Sequence, residues 1–112
     1  MKKEIRNLYL IRAGDIMHNI SCLDLPDDIM IEFNIKFFDN MTLLSINISP
    51  ILLKIEFQIY EPSAVYVKIY HQKSICYENN LDSEGDGIDD YSDIEKYIND
   101  YWKGEKKWIK KN

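Results

Sequence analysis

Two cysteines and two histidines leave little room for metal or nucleophile chemistry in this chain of 112 residues. Cys22 and Cys76 are too few for a disulfide framework, and each sits in an apolar, strand-like stretch that predicts a buried thiol. His18 and His71 form no H-x-x-x-H pair, no C-x-x-C occurs, and zinc spacing is therefore missing. Neither histidine belongs to a recognisable motif with a serine or cysteine, so no nucleophile with its base is predicted. With four glycines in all, there is no glycine-rich loop to cradle a phosphate. No apolar run approaches the roughly 20 residues a membrane helix needs, and a membrane partner is not expected. The basic start resembles a leader, but its apolar stretch covers only residues 8–11 before Arg12 interrupts it. The reading is a mature, cytoplasmic protein. Together these absences predict a non-enzyme with no obligatory cofactor.

Acid is what the chain has in quantity. Between Glu78 and Asp100 nine carboxylates stand against one cation, Lys96, a local charge of −8 in a chain whose total is −5. Such a surface repels phosphates, so nucleic acid is not expected as a partner. Paired carboxylates can serve as general acid and base, but only in a dry pocket that separates their pKa values. A glycine-broken surface loop is a poor place for that.

The middle of the chain alternates with period two. Ile29, Ile31, Phe33, Ile35 and Phe37 oppose Glu32, Asn34 and Lys36. Leu44, Ile46 and Ile48 oppose Ser45, Asn47 and Ser49. Leu53, Ile55, Phe57 and Ile59 alternate with Lys54, Glu56, Gln58 and Tyr60, and Val65, Val67 and Ile69 with Tyr66, Lys68 and Tyr70. Short Asn, Pro or Ser turns separate these runs, which is the pattern of an antiparallel meander with one covered face. A further arm over residues 74–77 follows a turn at Gln72 and Lys73. Residues 5–12 and 16–23 read as two short strands around a turn at Gly14 and Asp15, although Ile5, Leu8, Tyr9 and Arg12 also fit a helical face.

One amphipathic helix is predicted over residues 92–103. Ser92 and Glu95 form a capping box, Ile94, Tyr97, Ile98, Tyr101 and Trp102 make an apolar stripe, and Gly104 stops the helix. The expected architecture is α+β: one domain over residues 1–112, an antiparallel β-meander of about five strands packed against a C-terminal α-helix. Its sheet falls mainly in residues 5–78, its acidic loop in 79–91 and its basic tail in 104–112.

Within the acidic loop, Asp82, Glu84, Asp86, Gly87, Asp90 and Asp93 occupy positions 1, 3, 5, 6, 9 and 12 of a twelve-residue stretch. Alternate oxygen donors with a glycine at the bend suit a hard cation. The spacing resembles the calcium loops of EF-hand and thrombospondin type-3 repeats, which implies calcium as the possible ligand. It departs from them at Glu84, at Asp89 where an apolar residue is expected, and at Asp93 where EF-hands carry a bidentate glutamate. The competing readings are a solvated acidic turn and a recognition surface for a basic protein.

In length, acidity, β-meander closed by a helix and lack of a catalytic set, the chain resembles the small acidic bacterial immunity proteins, including those of contact-dependent growth inhibition systems. That resemblance implies stoichiometric neutralisation of a cognate toxin domain, often a nuclease with a basic active site. It implies Asp82, Glu84, Asp86, Asp89, Asp90 and Asp93 as charged contacts, with Tyr91 as an anchor. A phage-encoded inhibitor that mimics nucleic acid before a defence nuclease, or a calcium-binding interaction module, would present the same acidic stretch.

Overall fold

The computed structural model describes residues 3–61, 64–81 and 88–111. It is an α+β fold in two layers: helix α1 (Lys3–Ser21), five strands, and helix α2 (Ile88–Lys111). The strands are β1 (Met30–Phe37), β2 (Thr42–Ser49), β3 (Leu53–Glu61), β4 (Ala64–His71) and β5 (Ser74–Asn80). They lie in the order of the sequence, each antiparallel to the next, as the meander pattern requires.

The register carries the alternation from strand to strand. Phe33 pairs with Ile46, Ile46 with Ile55, and Ile55 with Ile69, which sets one apolar row across the sheet. Leu44, Phe57 and Val67 form the next row. These residues are buried in β2, β3 and β4, whereas the same face of β1 is only half-buried because β1 is an edge. The opposite face is polar and uncovered. Gln72 and Lys73, both at positive φ (51° and 72°), turn β4 into β5 in two residues, the twist-matched geometry of a tight hairpin.

The first quarter of the chain is not strand. Residues 3–21 form α1, and the sheet begins at Met30 rather than near residue 5. The reason lies in the burial: Tyr9, Ala13, Ile16 and Ile20 recur every three or four residues and pack as one stripe in the core. The apolar run at residues 8–11 hides that period, and a strand would have placed half of the stripe on the polar side. Gly14 lies inside the helix, with nothing within 4 Å of where its Cβ would be. It is no turn.

α2 is also longer than the capping pattern suggests. It starts at Ile88, so Ser92 lies within the helix, and it runs through Gly104 to Lys111. A glycine inside a helix costs only about 1 kcal/mol, and the Glu- and Lys-rich sequence after it favours continuation. Glu95 has another duty: its carboxylate accepts the Asp24 N–H at 2.6 Å, while the Asn99 amide donates to the Asp24 carbonyl at 3.2 Å. The connection from α1 to β1 is thereby held against α2. Tyr91, Ile94 and Ile98 enter the core, and the helical face of the sheet is covered by two helices instead of one.

Candidate interaction site

The acidic residues fall into three groups. Asp82, Glu84 and Asp86 lie outside the described residues. Asp89 and Asp90 stand in the first turn of α2, and Asp93 follows on the same helix, exposed. Tyr91 is 6% exposed and packs in the core, so it has little surface to offer a partner; its ring secures α2 from beneath. The calcium-like spacing meets a geometric fact as well. Its last six positions, from Ile88 to Asp93, are helical, so the Ile88 carbonyl belongs to a helix rather than to a loop that wraps an ion. Among the described residues no group of three His, Cys, Asp or Glu side chains is placed to hold a metal.

The structure brings Tyr77 of β5 to Asp93 and its neighbours on α2. A cleft of about 350 Å³ between β5 and α2 is lined by Tyr77, Asp93, Lys96, Tyr97 and Asp100. Asp93, Lys96 and Asp100 share one helical face by their spacing of three and four residues. Behind them runs an aromatic row. The Tyr77 and Tyr97 rings meet at 5.3 Å and 58°, Tyr97 and Tyr101 at 6.5 Å and 22°, and Tyr101 stacks on His71 at 4.2 Å and 27°. These are separations at which aromatic rings attract one another. Spacing on the α2 stripe announces Tyr97 and Tyr101, but only the hairpin register brings Tyr77 and His71 to them.

Hydrogen bonds stiffen this edge. The Tyr101 hydroxyl shares a hydrogen bond with the Cys76 sulfur, which together with burial pushes its pKa up to about 12. Cys76 also donates to the Ile69 carbonyl at 3.4 Å, so this thiol is half-buried and engaged. Cys22, expected to be buried as well, is exposed near the end of α1 because the stripe there turns Ile20 inward instead. On the uncovered face the Tyr66 hydroxyl donates to the Glu78 carboxylate at 2.8 Å, and that bond raises the Tyr66 pKa.

Chemically, the β5–α2 cleft offers two phenol rings and two exposed carboxylates, with the Lys96 ammonium between them, so acid is in excess by one charge. That set suits a lysine or arginine side chain, whose charge the carboxylates attract and whose stem the rings cover. A second hollow of about 540 Å³ opens on the polar face beside Asn47, Leu52, Lys54, Glu56, Tyr70 and Lys73. There Lys54 and Glu56 satisfy each other at 3.2 Å, and the hollow presents no single sign of charge. Burial, with the nearby Glu56 carboxylate, raises the Tyr70 pKa there. Neither hollow brings a nucleophile against a base among its lining residues.

Comparison with known proteins supplies no relative: no family model, no curated protein and no solved structure matches the chain. No helix among the described residues is long and apolar enough to cross a membrane.

Proposed function

We propose that the protein is a stoichiometric binding inhibitor of the immunity type, which neutralises a toxin domain by occupying its basic surface. The supporting observation is the β5–α2 cleft, where Asp93 and Asp100 flank Tyr77 and Tyr97 at the exit of the acidic stretch. A basic side chain of the toxin enters between the rings, and the carboxylates of residues 82–90 extend the contact over the surrounding basic groove. Charge of this density steers encounter and sets register, while the buried aromatic contact supplies the durable part of the affinity. A nuclease fits best, because its active site is built to attract phosphates and a carboxylate array competes for the same groups.

The test compares the wild-type chain with an Asp93→Lys/Asp100→Lys variant, each immobilised and exposed to lysate of the native organism. A basic protein held by the wild type and released by salt is expected, with retention by the variant at least about a hundredfold weaker, since like charges across an interface cost several kcal/mol. Reversal of Asp86, Asp89 and Asp90 to lysine extends the test to the preceding stretch and is expected to abolish protection with the fold intact. Equal retention by wild type and both variants would sink the proposal. Release by a chelator instead of salt would point to calcium-dependent binding.

A further inference from the structure

β1 is a long, regular edge. It pairs with β2 over eight consecutive residues without a register shift, and among the described residues its other side has no neighbouring strand. Edge strands of soluble proteins are commonly blunted by proline, bulges, short length or charge, since their free N–H and C=O groups invite pairing. β1, with the sequence MIEFNIKF, has no proline and spans eight residues, and its two charges, Glu32 and Lys36, are opposite in sign, so they repel a strand of like pattern only in the wrong register. The other edge, β5, is blunted: its pairing shifts register opposite Ile69 and Tyr70, and it ends in Glu78, Asn79 and Asn80.

We propose that β1 pairs with the β1 of a second copy of this chain, antiparallel about Asn34, joining two five-stranded sheets into one. The sequence of the strand is complementary to itself in that register. Glu32 of each copy stands opposite Lys36 of the other, and Asn34 opposite Asn34, on the uncovered face. On the helical face Phe33 stands opposite Ile35 and Ile31 opposite Phe37; Ile31, Phe33 and Ile35 pack beside the core, and Phe37 is 39% exposed at its margin. Met30, 73% exposed, meets Phe38, 47% exposed, at each end. A slip by two residues sets Glu32 or Lys36 against Asn34 and loses both charge pairs. A slip by one mismatches the faces.

Within one copy these charges have no charged partner across the sheet, because Glu32 faces Asn47 and Lys36 faces Leu43. α1 adds to the same border. The Arg6 guanidinium lies 5.3 Å from the Phe37 ring centre, and Leu10, one helical turn on, is 39% exposed. Antiparallel pairing about a perpendicular two-fold axis keeps both helical layers on one side of the joined sheet and brings the two α1 borders towards each other. β1 and β5 are opposite edges, so dimerisation leaves each β5–α2 cleft open and stands independently of the proposed inhibitor activity.

The experiment is sedimentation of the full chain from about 1 μM to about 1 mM, a range that captures affinities expected of a transient to moderate dimer. Wild type is expected to pass from monomer to dimer. Glu32→Lys places lysine opposite Lys36 twice per dimer and is expected to raise the dissociation constant about tenfold or more. Lys36→Glu makes the same test with the opposite sign, should either single variant fail to fold. The double variant Glu32→Lys/Lys36→Glu restores both pairs and is expected to restore the dimer. A wild type that stays monomeric throughout overturns the proposal and leaves the edge for a strand from another protein. A dimer that ignores the single reversals, or that the double variant fails to restore, also overturns it.

Discussion

Tyr101 joins three contacts at once: the face of His71, the ring of Tyr97 and the sulfur of Cys76. Its hydroxyl keeps its proton in the folded protein to about pH 12, against an ordinary value of 10.0, with the Cys76 hydrogen bond as the main cause and burial next. The linkage has a definite sign. A group that holds its proton more tightly when folded stabilises the fold fully below its unfolded pKa, and that contribution disappears as pH rises from about 10 towards 12. Tyr101→Phe, which keeps the ring and loses the hydroxyl, is therefore expected to be less stable than wild type at pH 8 by about 1 kcal/mol. The gap should close as pH climbs past 10. Thermal melts of both proteins at intervals from pH 8 to 12 check this, and a gap that widens with pH would contradict it. Tyr66 and Tyr70, whose pKa values are also raised, are present in both proteins and cancel in the comparison.

Among the elements, β2 to β4 were legible because each buries one face and exposes the other, and a period of two has no competing explanation there. β1 and β5 show the same alternation weakly in their burial, since an edge strand has a neighbour on one side only. The N-terminal helix was hidden by a different cause. Its outward residues Leu8, Leu10 and Ile11 are apolar and exposed, so apolar character on both sides of the stripe erased the helical period. At the site, the acidic stretch and the stripe of α2 could be read from spacing. The partners of that stripe, Tyr77 and His71, could not, because their meeting depends on the β4–β5 register. Gly14 separates the helical reading from the turn reading by experiment. In a helix with open space around the missing Cβ, Gly14→Ala is expected to stabilise the protein by about 0.5–1 kcal/mol. In a turn that needs glycine the same change would destabilise it. Denaturant unfolding with unchanged slope gives the sign directly.

At the scale of the whole molecule, one core serves three layers of sequence: residues of α1, of the middle strands and of α2 all belong to one buried cluster. The sheet has only one covered face, so neither helix can leave without exposing residues such as Ile55, Phe57 and Ile69 to water. Helices and sheet should therefore unfold together. Phe57 is the sharpest probe, since it is the largest fully buried side chain among the described residues and sits on the central strand. Phe57→Ala is expected to cost about 3–5 kcal/mol, from lost transfer energy and the cavity left behind. That is a large share of the roughly 5–15 kcal/mol that holds a domain of this size. The decisive reading is the shape of the transition. Far-ultraviolet circular dichroism follows the helices and sheet, while the fluorescence of Trp102, which packs against the core and is read in a Trp108→Phe background, follows α2. Coincident transitions, both shifted by the same amount in the variant, are expected of a single cooperative unit. A fluorescence transition that stays in place while the dichroism shifts would mean that α2 is held by something other than the shared core.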